Sequence, residues 1–550
     1  MNSVFHLALK DLRHSRWLIA LTWIVAAAIL WLPTLPVDSR DQEFFRFHLY
    51  GFGSWVLLFL TIGSIVQLDA PLRDTAFLRS RPVSHGDWLA SKFLAVLFVI
   101  FPMALFPVSM ILVAGLRPGL IHLSLAFVEE MLTLGMIAAF AMTIAARNQT
   151  PSKFIANVMA LALSAFIVFI IFVKMMGASI PRMMDYEWCS DLYHRSLSRF
   201  LAAQGIALAG FAAAMLHFFR NRHRGHLTCA TIGTVLAAIL GACFWPLNFV
   251  KWFAPAEAEA PRSEWPDPSK IIFKFGQNPS APEDETALVM NSDRSEDGRS
   301  MGYSFRANTY LSGLPNGWLV CEDGFDSTIT FVDQRKFQSH GDPWPGLEAR
   351  MILPRFGIPN PVHSGDDSLL ASTRLGSFNV DESEVVTRGA TLAGSVNIPF
   401  RRPVILARMP LRAGAETIIG SRKIRILRVK VSDTRLSYQY SIEEPMVRFL
   451  GGSMSEPFRM LETIVVNASK RQRILFEGSS GGNGLSVGPY RLAIIECLGP
   501  ISLDTRDEVP IPADWIEGAE LIITGSEYGG ALIREFQFKP VDLKEMPWQR

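Results

Sequence analysis

Gly478-Ser479-Ser480-Gly481-Gly482 has the form G-x-S-x-G, the spacing that lifts a serine nucleophile onto a tight strand-to-helix turn. That chemistry needs a histidine later in the chain to take the serine proton. No histidine follows His363, so the run reads as a glycine-serine loop. His340 and His363 have no neighbouring ligand at metal spacing, and H-E-x-x-H does not occur; no metal centre is expected. G-x-x-x-x-G-K-[ST] is also missing, so this chain is expected neither to hydrolyse ATP nor to act as an enzyme, and to carry no cofactor of its own.

Two further sets of reactive residues give no constellation. The five cysteines are Cys189, Cys229, Cys243, Cys321 and Cys497. Cys229 and Cys243 lie in an apolar run, where cysteine acts as a small hydrophobe. Cys321 and Cys497 lie in the polar half and have two readings, a disulfide in an oxidising compartment or two buried thiols. Glu129 and Glu130 interrupt the apolar run Leu120–Ala146. Counting about 20 residues back from Arg147 puts both at the far membrane surface. Two solvated carboxylates on a protruding helix end are expected there, and Lys174, also terminal, can snorkel. The spans thus read as apolar inside, which points away from ion pumping.

These residues sit in a chain of two unlike halves. Of 550 residues, 49% are hydrophobic and 19% charged, with a formal charge of +2. The charge is too small to imply a partner, and no nucleic acid is expected. Up to about residue 253 the chain alternates apolar runs with charged breaks. Seven runs approach the ~20 residues a bilayer core needs: Trp17–Leu35, Gly51–Leu68, Phe93–Leu116, Leu120–Ala146, Phe154–Val173, Phe200–Phe219 and Leu227–Val250. With the N-terminus inside, twelve Lys and Arg fall on the inner side and six on the outer, leaving aside Lys174 at the end of the fifth run, as the positive-inside rule demands. Seven crossings put everything after residue 253 outside; if Leu227–Val250 does not cross, that half is cytoplasmic. Ahead of the first run, residues 1–16 read as an interfacial amphipathic helix, with Val4, Phe5, Ala8, Leu9 and Leu12 on the apolar face and His6, Lys10, Asp11, Arg13 and His14 on the other. Residues 17–253 form the transmembrane domain.

A proline- and acid-rich linker, 254–268, leads to a region of period two, 269–550. Leu436, Tyr438, Tyr440 and Ile442 alternate with Ser437, Gln439 and Ser441, one face buried and one wet. Further strands are expected at 271–275, 327–332, 403–411, 423–431, 490–498, 519–525 and 531–538, with GSEYGG as a hairpin connection between the last two. The fold class is an α-helical polytopic membrane domain followed by an all-β region of one or two sandwiches, with a boundary near 378–395 in the second case.

The stretch DAPLRDTAFLRSRPVSHGDWLASKF, Asp69–Phe93, carries seven charges between the second and third runs. Pro71 suits a first helical turn, Leu72, Ala76 and Arg79 share a face, and Pro82 ends the segment. Ser84 then reads as an N-cap, Asp87 as the third-position acid of a capping-box-like pair, and Val83 against Trp88 as a hydrophobic staple. An N-terminal helix, a span, an outer loop, a second span, and then Thr75, Leu78, Ser80, Pro82, Val83 and Ser84 followed by Trp88, Leu89 and Lys92 resemble the permease subunits of ABC-2 type transporters over about residues 3–225.

The resemblance implies that the first inner loop holds a coupling helix that docks on an ATPase subunit. Here that loop is Pro71, Leu72, Arg73, Asp74, Phe77, Arg79 and Arg81, followed by the helix entry Val83, Ser84, Asp87 and Trp88. It implies a separate cytoplasmic ABC ATPase that consumes the ATP, a second permease copy or homologue, an inner-membrane location, and export as the direction. The chain departs from the family in its seventh run and in its large outer β region. The rival expectation is a non-transporting protein whose spans anchor a β-sandwich sensor or assembly domain.

Overall fold

The computed structural model describes residues 3–28, 30, 53–67, 84–148, 150, 152–159, 190–221, 224–253, 256, 258–275, 288–294, 301–315, 317–320, 325–331, 334, 336–340, 355–356, 368–379, 390–432, 435–450, 461–474, 478–487, 490–502 and 512–537. Helices come first and strands after. The helices are α1 (Ser3–His14), α2 (Arg16–Ala27), α3 (Ser54–Gln67), α4 (His85–Val113), α5 (Leu120–Arg147), α6 (Ser190–Asn221), α7 (Arg224–Phe244) and the single turn α8 (Val250–Phe253).

Among the described residues, four helices are long and apolar enough to cross a membrane, Gly86–Val113, Leu120–Arg147, His194–Phe218 and Gly225–Phe244; α2 and α3 are shorter apolar helices. Four such helices indicate a membrane protein. The count is lower than the seven expected. The described parts of Trp17–Leu35 and Gly51–Leu68 fall short of a full span, and most of Phe154–Val173 lies outside the described residues.

One apolar core joins α1 through α7, with Leu58, Ile62 and Ile65 of α3, Val96 and Val99 of α4, Ala138 and Ala141 of α5, and Met215 and Phe218 of α6. Small residues let the backbones close up, the usual means of helix association in lipid. α6 and α7 form an antiparallel pair: His217 faces His226 with ring centroids 5.7 Å apart, Thr234 presses on Gly210, and Ile206 presses on Gly241. The bundle interior is less apolar than the sequence suggests. Thr22 and Thr61, both fully buried, share a hydrogen bond of 2.7 Å. Ser15 pairs with Ser64 at 3.1 Å, and Gln204 Nε2 donates to Thr133 Oγ1 at 3.2 Å. Short polar side chains on neighbouring helices satisfy each other, so none reads as a charge in the sequence.

The strands are β1 (Ile272–Phe275), β2 (Leu288–Arg294), β3 (Met301–Ser312), β4 (Leu319–Val320), β5 (Phe325–Phe331), β6 (Lys336–His340), β7 (Ser368–Asn379), β8 (Ala390–Pro410), β9 (Glu416–Ile419), β10 (Arg422–Val431), β11 (Arg435–Pro445), β12 (Glu462–Asn467), β13 (Gln472–Ile474), β14 (Gly478–Val487), β15 (Tyr490–Ser502) and β16 (Ala519–Gln537). Among the described residues they form two antiparallel sheets. In the smaller, β3 pairs with β1, β2 and β7. The larger runs β6-β5-β8-β16-β12-β13-β15-β11-β10-β9, with β14 added to β15 and β4 to β8. The stretch 378–395 does not separate two sets of strands, because β4 and β5, which precede it, pair with β8.

β15 holds the larger sheet together. Its first part pairs with β11 and its end with β13. A single core gathers Met409, Val465, Leu521 and Ile523 from one arm of the sheet and Ile424, Ile426, Leu436, Tyr438 and Tyr440 from the other, with Trp515 between strands. Cys497 is a buried free thiol in this core, and burial pushes its pKa up. Cys321 lies outside the described residues.

Two expectations for this region change. GSEYGG is not a hairpin: β16 runs unbroken through it beside β8, with a register shift between Tyr528 and Ala531. Gly529 and Gly530 make room for two indoles. A Cβ on Gly529 would lie 1.9 Å from the Trp318 ring, and Gly530, at φ +92°, faces Trp265. The glycines thus serve a bulge rather than a turn. Nor do residues 258–268 hang free as a linker. Ala260 N donates to Tyr528 O at 2.9 Å and Tyr528 N to Ala258 O at 2.7 Å. Trp265 Nε1 donates to Ala260 O at 2.9 Å, and Arg402 joins Glu264 to Glu527. Prolines and acids that look like linker composition are held along the sheet as a strap.

Candidate functional site

The entry to α4 is built by local rules. Ser84 has extended backbone angles, φ −66° and ψ 148°, and its side chain accepts from Asp87 N at 3.0 Å. This satisfies one of the amide groups that a helix start leaves without a helical partner. Asp87, in the first turn, accepts at Oδ2 from Ser3 Oγ of α1 at 3.2 Å. Trp88 N donates to Ser84 O at 3.1 Å, and the residue is 2% exposed. Pro71, Leu72, Arg73, Asp74, Phe77, Arg79, Arg81 and Val83 lie outside the described residues.

One turn beyond Trp88 sits Lys92, 1% exposed. Its Nζ meets Asp11 Oδ2 of α1 at 2.7 Å and donates to Ile65 O at 2.8 Å. The Trp88 ring lies 5.2 Å away as a cation–π partner. Ile65 is two residues from the end of α3, where carbonyls lack helical donors and a cation is favoured. A single ammonium therefore joins α1, the end of α3 and the start of α4, the elements on both sides of residues 68–83.

Asp11, expected on the wet face of α1, lies instead on its packed face. It is 1% exposed and shares the packed face with Leu7 and Ala8, whereas Phe5, assigned to the apolar face, is 52% exposed. Burying the carboxylate is tolerable because Lys92 neutralises it. The sequence reading places Lys92 among the inner charges and in the run that resembles the permeases, not in the core. The signal was available: Trp88, Lys92, Val96, Val99 and Met103 follow a helical stripe and all are buried, so the lysine occupies a core position.

At the opposite end of α4 the β region packs against the helices. Val108, Ile111, Ala114 and Leu116 meet Ala126 of α5 and Val447, Leu450, Tyr490 and Leu492 of the β region in one cluster. Glu129 lies here. It is 4% exposed, and its Oε1 accepts from Phe449 N at 2.6 Å. Phe449 also packs on Phe249, centroids 6.2 Å apart, and the Arg448 guanidinium lies 4.9 Å from the Phe200 ring. The expectation of a solvated Glu129 is overturned, because the 3-10 turn Arg448–Leu450 covers it; Glu130 beside it is half-buried.

The period-two pattern of β11 fades towards its end. Leu436, Tyr438 and Tyr440 are buried in alternation, but Ser441, Glu443 and Glu444 are buried as well. Tyr490 Oη donates to Glu443 at 2.9 Å, and burial raises the Glu443 pKa. Glu444 accepts from Arg422 Nε at 2.7 Å.

Gly478–Gly482 falls within β14, paired to β15 with a register shift between Ser480 and Asn483. That is extended antiparallel strand, not the strand-to-helix turn a nucleophilic serine requires. Among the described residues no group of three or more His, Cys, Asp or Glu could hold a metal ion. No family model, curated protein or solved structure matches this chain.

Proposed function

We propose that the chain is the membrane subunit of an ABC-2-like transporter, driven by a separate cytoplasmic ATPase and working as a pair of permease halves. In this reading the first inner loop, Pro71–Arg81, receives the ATPase. Seven crossings with an inner N-terminus place the sandwich-like β region outside, where it recognises cargo or a partner. The described helices α2 and α3 and the helical residues 152–159 are then parts of three further spans, and export is the direction.

The observation that carries the reading is the Lys92 junction. A load applied to residues 68–83 would reach α3 and α4 at once, because Lys92 bonds the last turn of one from the first turns of the other. The N-terminal helix would move with them through Asp11 and Ser3. A mere anchor for a β domain has no need for a buried ion pair at this place, since such pairs are weak sources of stability. Rigid helices that shift together are the usual material of alternating arrangements.

The test is copurification with a P-loop ATPase encoded beside this chain, together with its ATPase rate. Arg79→Glu with Arg81→Glu is expected to abolish association and stimulation while the protein stays folded in the membrane. Unchanged association and stimulation would overturn the coupling role.

A further inference from the structure

We propose that the β region is latched to the ends of α4, α5 and α6 by the turn Arg448–Leu450, with Glu129 as the anchoring residue, so that it moves with the helices and does not swing on the segment joining α8 to the strap. The proposal does not depend on transport; it would hold equally for a sensor or an assembly protein.

Three independent contacts converge on this turn. From α5, the Glu129 carboxylate takes the Phe449 amide at 2.6 Å. From α6, Phe200 lies beneath the Arg448 guanidinium. From α4, Val108 and Ile111 join the apolar cluster that contains Val447 and Leu450. The connection on the helix side is itself tied down: Ser198 of α6 accepts at Oγ from Val250 N at 3.0 Å and donates to Asn248 Oδ1 at 3.2 Å. On the β side, the strap 258–268 is fixed to Tyr528 and Arg402. The anchored positions Val250 and Ala258 are eight residues apart in the chain. A carboxylate buried at the sheet contact is costly unless its hydrogen bond is made, so the contact favours one docked geometry over many.

A protease site inserted between α8 and Ala258 tests this in the full-length protein. After cleavage in detergent, the β fragment is expected to stay with the helices through size exclusion. Glu129→Ala leaves the Phe449 amide without its acceptor and should weaken retention about tenfold; Glu129→Gln keeps an acceptor and should hold the fragment. Leu450→Ala reaches the same latch from the sheet side, and should also release the fragment, so the idea stays testable if a helix variant fails to fold. Release of the wild-type fragment on cleavage would overturn the latch. Retention by both Glu129→Ala and Leu450→Ala would overturn the assignment of these residues to it.

Discussion

Lys92 occupies a core position that a hydrophobic side chain would ordinarily fill, and its charge is met by Asp11 across 81 positions of sequence. Breaking a buried pair by removing one partner strands the other charge and costs about 3–5 kcal/mol, whereas replacing both with apolar residues is often close to neutral. Lys92→Met alone is therefore expected to lower the melting temperature in detergent sharply. Lys92→Met combined with Asp11→Leu should recover most of the loss. If the single variant melts like the wild type, the pair does not hold the bundle. Stability and function should separate here: the double variant is expected to be folded yet to lose the charge link between α1 and α4 and the bond from Lys92 to α3. The lysine was visible in the sequence as a misfit on an apolar stripe. Its partner was not, because Asp11 reads as one of several polar residues along α1 until the helix is packed.

Among the elements, β16 best shows what periodicity can and cannot say. Ala519–Gly525 and the segment after Gly530 each read as strands, and both lie in the one strand β16. The glycines between them read as a turn, but Trp318 and Trp265 use them as gaps. Gly529→Ala would set a methyl 1.9 Å from the Trp318 ring, and overpacking of this sort costs about 1–3 kcal/mol. The variant should melt lower, and Trp318→Leu in the same chain should restore part of the loss. An unchanged melting temperature for Gly529→Ala would mean that the indole is not seated there. The same limit applies to 258–268, where proline and acid content suggested a free connector. The backbone bonds to Tyr528 and the Arg402 bridge come from strands far along the chain, which composition in the segment itself cannot register.

At the scale of the whole molecule, α1 packs beside the start of α4, and the β region packs against its end. α4 is 29 residues long, which at about 1.5 Å per residue separates the two ends by roughly 43 Å, more than a bilayer core is thick. The N-terminus and the β region are thus expected on opposite sides of the membrane. Protease added to sealed right-side-out vesicles should attack the β region and spare an N-terminal tag, and inverted vesicles should show the reverse. Attack on both from the same side would refute the opposed arrangement, and with it the outward placement of the β region.

The division into helices and strands, the apolar runs and the capped start of α4 are written in local sequence, because each rests on periodicity or on neighbours within one turn. Ser84 and Asp87 could be read three positions apart for that reason. Three features come only with packing: Asp11 meets Lys92, Glu129 lies under Phe449, 320 positions away, and strands on both sides of 378–395 share a sheet. Burial of a charge depends on what covers it. Its cover here comes from distant parts of the chain, so local pattern assigned Asp11 and Glu129 to water while packing placed them in the interior.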